Sequence, residues 1–353
     1  MGVIILRSVI VGFIVAFAVI TGFAYTTLLE RKLLALLQGR IGPNRAGYIM
    51  VPLGEKRAPL RLLAGVMQPA ADAVKLFFKE DMIPDKVDRF TYILAPMLSV
   101  IPAVMILAVI PWAGPMTILG QEFTPYFAIA PGISVAIVFV LAITSVGVYG
   151  VVLAGWSSNS KYAVLGGIRA SAQMISYELA LSLSVLPPVM LANSMDLGVI
   201  VERQAEFGVW YFVPLFPSAI IFFIAMFAEL QRAPFDLLEA EQELSAGYTV
   251  EYGGMRFGMF FMAEYMQMIS LSAIGITLFF GGYRGPFVDQ FPALGFLYII
   301  GKIFLSLCFM IWVRASFPRF RYDQLMAFGW KRLFPLSLLM FILTAFGIVL
   351  FGL

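Results

Sequence analysis

The 353-residue chain has no histidine and a single cysteine, Cys308. Without those ligands it cannot build a Cys/His zinc site, a four-cysteine iron–sulfur site or a histidine-ligated haem by itself. It cannot close an internal disulfide, so its redox compartment leaves no mark on the sequence. A Ser-His-Asp or Cys-His nucleophile is equally impossible. Charge is scarce as well: 13% of residues are charged and 61% hydrophobic, against roughly 25% and 45–50% in soluble domains. No single core could hide that excess, and an integral membrane protein is the direct reading. There is no Walker A run, and the pairs Gly166-Gly167 and Gly281-Gly282 stand alone, outside any dinucleotide fingerprint. Residues 40–45 form a turn with a basic rim that lacks the glycine spacing of a phosphate cradle.

What is present is a series of apolar runs. About 20 such residues cross a bilayer core, and eight candidates occur at 4–29, 90–112, 127–154, 170–192, 210–230, 257–280, 293–313 and 333–352. The expected fold is all-α, one polytopic membrane domain over 1–353. The first run could pass for a signal peptide, but it is too long for an h-region, lacks a clear cleavage site and continues into Glu30-Arg31-Lys32. With eight crossings, 20 of the 24 Lys and Arg residues fall in loops on one side. The positive-inside rule makes that side cytoplasmic and both termini external. The basic residues lie beside the membrane, which gives nucleic-acid binding no support.

The first cytoplasmic loop contains an amphipathic stretch, 58–79. Leu60, Leu63, Met67, Ala70, Val74 and Phe77 recur at helical spacing, and Gln68, Asp72, Lys75 and Lys79 form a polar stripe. That pattern predicts a helix lying in the interface, with its polar side toward water or a cavity. A plain interfacial anchor would have the same pattern.

Four ionisable residues fall at membrane depth: Glu178, Glu229, Glu264 and Lys302. Such groups are costly, and they face a bundle interior or a water-filled cavity. A structural pair, Lys302 with one glutamate, would explain two of them but not three acids and one base together. Burial disfavours the charged form of a carboxyl, so a chain of poised carboxyls with water would relay protons; Glu178, Glu229 and Glu264, with Lys302, are the relay candidates. The loop between the fifth and sixth spans is acidic, with Glu229, Asp236, Glu239, Glu241, Glu243 and Glu251 against Arg232 alone. Phe235, Leu237, Leu238 and Leu244 within it require burial. A cation transporter with carboxylate sites is a competing class, but transporters often carry inverted repeats and no half-to-half similarity is visible.

Five stretches carry a family likeness: LLERKLLALLQGRIGPNRAG (28–47), QPAADAVKLFFKED (68–81), GWSSNSKYAVLGGIRASAQMISYE (155–178), RAPFDLLEAEQELSAGYTVEY (232–252) and WVRASFPRFRYDQLM (312–326). In this order they resemble the H-type subunit of the proton-pumping NADH-quinone oxidoreductases, the respiratory complex I component called NADH dehydrogenase subunit 1 in mitochondria. Membrane hydrogenases contain a similar subunit, but the motifs lie closer to the quinone enzymes. The resemblance implies a subunit of a bacterial inner-membrane translocase that binds no cofactor itself. It implies quinone as substrate, with FMN and iron–sulfur clusters in peripheral-arm partners, other membrane-arm subunits as neighbours, and lipid around it. It places Gln68, Asp72 and Lys75 at the quinone chamber or its rim, near an entrance between span 1, span 6 and the interfacial helix. It makes Arg232, Asp236, Glu239, Glu241, Glu243 and Glu251 part of the loop beside that chamber. Glu178, Glu229 and Glu264 then match acids of a channel toward the pumps. Three departures stand out: Gln231 where relatives often have Asn, the longer loop at Tyr48–Leu62, and no acid in Ile143–Gly150 of span 3.

Overall fold

In lipid every backbone polar group must be satisfied within its own segment, so charge-poor apolar runs become helices. The computed structural model describes residues 2–44, 46, 50–53, 56–59, 65–118, 121–123, 126–236, 247–288 and 290–351. Its helices are α1 Gly2–Leu37, α2 Gln68–Phe78, α3 Arg89–Met105, α4 Ala136–Ser157, α5 Lys161–Ala192, α6 Leu197–Phe207, α7 Phe216–Glu229, α8 Gly254–Phe279, α9 Leu294–Ser316, α10 Tyr322–Phe328 and α11 Phe334–Phe351. Two short antiparallel hairpins decorate the loops, Met50–Leu53 with Lys56–Pro59 and Met116–Ile118 with Gln121–Phe123.

Among the described residues, seven helices are long and apolar enough to cross a membrane, and α7 is a shorter apolar helix. α10 and α11 count as one span, joined by a single π-helical turn at Gly329–Leu333. The all-α polytopic architecture expected from composition is therefore the observed one. α8 is the most enclosed span and α11 the least. α3, α4 and α5 pack in sequence, while α1 and α9 flank α8. Small residues permit close approach, as usual between membrane helices. A Cβ on Gly150 of α4 would sit 2.3 Å from Ser99 Oγ of α3. A Cβ on Gly166 of α5 would sit 2.6 Å from the Gly247 Cα, beside the loop that precedes α8.

Several boundaries differ from the hydropathy reading. α1 continues eight residues past the expected end at 29, taking Glu30, Arg31 and Lys32 onto the helix. The third span begins at Ala136, because Pro131 and the positive-φ Gly132 hold 126–135 in a loop whose Phe127 bridges to Ala113. The fifth span shrinks to 14 residues, about 21 Å of helix, because 211–215 is a turn and Pro217 opens α7. α6 has no counterpart among the eight apolar runs: the Asp196 side chain caps its first turn and the left-handed Gly208 ends it. The interfacial helix is shorter than 58–79, starting at Gln68 with Pro69 in its first turn, and Leu60 and Leu63 lie outside the described residues.

Candidate functional site

The loop-rich end of the bundle, where the basic residues gather, holds a buried ion cluster drawn from four parts of the chain. Glu30 of α1 is 4% exposed and Arg232, three residues past α7, is 5% exposed. Arg232 Nη1 lies 3.3 Å from Glu30 Oε1, and its Nε lies 2.7 Å from Glu264 Oε1 on α8. Arg314 of α9 donates to the same Glu30 carboxylate. The Tyr265 hydroxyl donates to Glu30 Oε2 at 2.6 Å, and its ring lies under the Arg232 guanidinium, 4.4 Å from centroid to Cζ. Among the described residues, two cations here face two carboxylates. Burial alone would drive Arg232 toward neutrality, but Glu264 and Glu30 more than offset it and raise its pKa. The cluster stays charged and locks α1, α8, α9 and the 230–236 turn together.

Glu229 is different. It ends α7 three residues before Arg232, is 2% exposed, and neither carboxylate oxygen has a hydrogen-bond partner among the described residues. It lines a small, half-open cavity of about 40 Å³ with Gln231, Glu264, Gln267, Ser99 and Tyr248. A cavity that size holds a water or two, and its polar walls supply the partners such a water needs. Glu264 therefore belongs both to the ion cluster and to this cavity. Glu178, on α5, accepts a hydrogen bond from Ser145 of α4. Ser145 lies in the stretch of span 3 that lacks an acid, so a hydroxyl occupies that position.

The turn after α7 carries these groups. Gln231 adopts a left-handed conformation, φ 53°, and its side-chain nitrogen is buried without an acceptor among the described residues. Arg232, Phe235 and Asp236 follow it into the interior. Asp236 is 2% exposed and pairs with Arg319 at 3.3 Å. The Phe235 ring packs on Tyr177, Phe320 and Phe328. Gln173 of α5 donates to both Ala228 O (2.8 Å) and Phe235 O (3.0 Å).

Other expected residues are scattered. Gln68 and Asp72 of α2 meet each other at 3.1 Å, and Asp72 pairs with Arg31 of α1 at 2.7 Å. The polar stripe thus fastens α2 to α1, while Leu76 abuts Gly258 of α8 and Lys75 and Lys79 are exposed. Met67, Val74 and Phe77 on the apolar side are exposed too. The Glu251 carbonyl accepts from Tyr92 at 2.6 Å, beside the Tyr92–Tyr252 ring stack. Glu239, Glu241 and Glu243 lie outside the described residues.

Lys302 lies apart from the ion cluster. It does not join the acids but donates to the carbonyls of Phe280, Gly282 and Arg284, at 2.8, 2.8 and 2.9 Å. These close the far end of α8, whose final carbonyls have no partners within the helix. Sixteen residues of rise separate Phe280 from Glu264, about 24 Å. Glu264 is ion-paired with Arg232 at 2.7 Å. The residues that sequence reasoning misses are Glu30, Arg314, Tyr265, Ser145 and Gln173. Glu30 reads as a flanking charge when span 1 is ended at 29, eight residues short of the end of α1.

Comparison with known proteins decides the family. Residues 10–345 match the NADH dehydrogenase family. The chain belongs to that family. It is 44% identical over 329 residues to an H-type subunit of NADH-quinone oxidoreductase from Geobacter metallireducens, covering 91% of this chain and 89% of that one. It is 47% identical over 326 residues to the H-type subunit of the same enzyme from Protochlamydia amoebophila, covering 92% and 93%. With NADH-quinone oxidoreductase subunit 8 of Thermus thermophilus it shares 42% identity over 337 residues, covering 96% and 86%. Within the NADH dehydrogenase family the likeness therefore runs through every span described above, including the motif stretches that build the ion cluster.

Proposed function

We propose that this chain is the membrane subunit of a proton-translocating NADH:quinone oxidoreductase, and that it couples quinone reduction to proton movement through buried carboxyls. The observation that carries the reading is Glu229: an enclosed carboxyl, unpartnered among the described residues, sharing a polar cavity with Glu264, which itself contacts Arg232 of the ion cluster. A chain with no histidine and one cysteine cannot hold an iron–sulfur cluster, so electrons come from a peripheral partner that carries the clusters and flavin. The loop-rich, basic side faces that partner in the cytoplasm, with both termini across a bacterial inner membrane.

An apolar groove of about 670 Å³ follows α1 from Ile14 to Lys32, passing Thr26 and Leu29, and brings hydrocarbon to within one turn of Glu30. A quinone headgroup near Glu30, Arg31 and Asp72 takes up electrons and protons together. The charge change is felt by Arg232 and Glu264 and, through the shared cavity, by Glu229. At about 10 Å and an effective dielectric near 20, a unit charge is worth about 1.7 kcal/mol, more than tenfold in a protonation equilibrium. Glu178, held by Ser145, is the next carboxyl along. The acidic stretch with Glu239, Glu241 and Glu243 belongs to the same coupling loop.

The test uses inverted membrane vesicles containing the assembled enzyme. Glu229→Gln is expected to lower protons moved per electron while NADH still reduces the iron–sulfur clusters. A photoreactive quinone-site inhibitor is expected to label this chain at α1 or α2. An unchanged proton ratio together with no labelling would remove the proposal.

A further inference from the structure

We propose that Gln173 is a positioning residue for coupling: its side-chain amide clamps the 228–235 turn, so that displacement of Arg232 in the ion cluster is delivered to Glu229. The inference rests on the coupling role proposed above for Glu229. Gln173 is 1% exposed, and a single Nε2 serves two carbonyls that bracket the turn, those of Ala228 and Phe235. Ala228 lies in the last turn of α7, where its carbonyl also accepts from Gln231 N at 3.3 Å, and it immediately precedes Glu229. The turn is closed again from within: Arg232 N donates to Phe227 O at 3.2 Å and Phe235 N to Arg232 O at 2.9 Å. Four residues on, one turn along α5, Tyr177 packs on the Phe235 ring and donates to Leu325 O at 2.9 Å. One face of α5 therefore holds the whole turn as a unit. Arg232 and Glu229 project from that unit in different directions, one into the ion cluster and one into the small cavity. Arg232 sits between two carboxylates, Glu30 and Glu264. Any change in their charge pulls Arg232 to one side, and a clamped turn must carry Glu229 with it. An unclamped turn would absorb the shift in its own backbone.

Gln173 touches neither the proposed headgroup position nor the carboxyls, so its loss should separate electron transfer from pumping. In inverted vesicles with the assembled enzyme, quinone turnover and protons per electron are measured for wild type, Gln173→Leu, Gln173→Glu and Glu229→Gln. Gln173→Leu takes from the Phe235 carbonyl its one described donor and leaves Ala228 O with Gln231 N alone, a bias of about tenfold on the turn. From that bias Gln173→Leu is expected to lower the proton ratio by about half or more, with turnover within about threefold of wild type. Glutamate at 173 donates only when protonated, so its proton ratio is expected to rise as pH falls, a dependence absent from wild type. A wild-type ratio in Gln173→Leu with Glu229→Gln uncoupled overturns the Gln173 proposal alone. A wild-type ratio in both overturns the coupling role beneath it. Equal losses of turnover and pumping, a pH-independent loss in Gln173→Glu, or failure of both variants to assemble would each make Gln173 a folding residue and overturn the proposal.

Discussion

Glu30→Gln tests the ion cluster. The substitution keeps the shape of the side chain and removes the carboxylate that Arg232 and Arg314 share. Removing one partner of a buried pair costs about 3–5 kcal/mol. Glu30 and Arg232 have side chains only 5% and 6% exposed, so water cannot substitute for the lost carboxylate there. The Arg314 side chain is 24% exposed, and its share is screened, which favours the lower end, about 3 kcal/mol. That is about a hundredfold in an equilibrium constant. The assay is the rate of heat inactivation of quinone turnover in the assembled enzyme, with the amount of enzyme assembled as control. Arg314→Met combined with Glu30→Gln removes one charge of each sign and keeps the Arg232–Glu264 pair. The double variant should lose less than the sum of the singles by about 2 kcal/mol. Strictly additive losses would refute the claim that these side chains form one electrostatic unit.

Three further outcomes are expected. Lys302→Met strands three carbonyls at the end of α8 and should cost about 3 kcal/mol, seen as reduced assembly, while enzyme that does assemble pumps normally. Ser145→Ala removes the hydroxyl that holds Glu178 and should lower the proton ratio, with Ser145→Thr retaining it; equal ratios in both would detach Ser145 from the relay. Burial pushes the Tyr252 phenol from the usual 10.0 up to about 12. Because its folded pKa is the higher one, the neutral phenol stabilises the fold below the unfolded value, and that contribution disappears as pH climbs from about 10 to about 12. Tyrosinate absorbance and heat stability across that range should show a step that Tyr252→Phe lacks.

The sequence is most informative where one physical rule dominates. Long apolar runs announce membrane helices because lipid offers the backbone no alternative, and the side chosen by the basic residues follows from the number of crossings. The rule weakens at boundaries. α7 and the turn before it read as one run of 210–230, since Trp210, Phe212 and Val213 are apolar whether helical or not; only Pro214 and Pro217 signal the break. α6 is half polar, with Glu202, Arg203 and Glu206, and escapes a search for apolar runs. The buried acids are legible because charge at membrane depth is rare, yet their partners are not. Glu264 and Lys302 look alike in sequence, but pairing depends on distances set by α1 and α9, and the nearest acceptors of Lys302 are carbonyls that no side-chain pattern reveals. Glu30 shows the same limit: about two turns of additional helix convert a flanking charge into the centre of a cluster. Gln173 carries no charge and sits in an ordinary helical run, so its two carbonyl contacts cannot be foreseen.

The central claim is that Glu229 changes protonation when quinone chemistry alters the charge beside it. Redox-induced infrared difference spectroscopy of the assembled enzyme, wild type against Glu229→Gln, measures that change at the carboxyl itself. The account predicts a carboxyl band that appears or vanishes on NADH-driven quinone reduction and is missing in Glu229→Gln. An identical carboxyl spectrum in both proteins would contradict it.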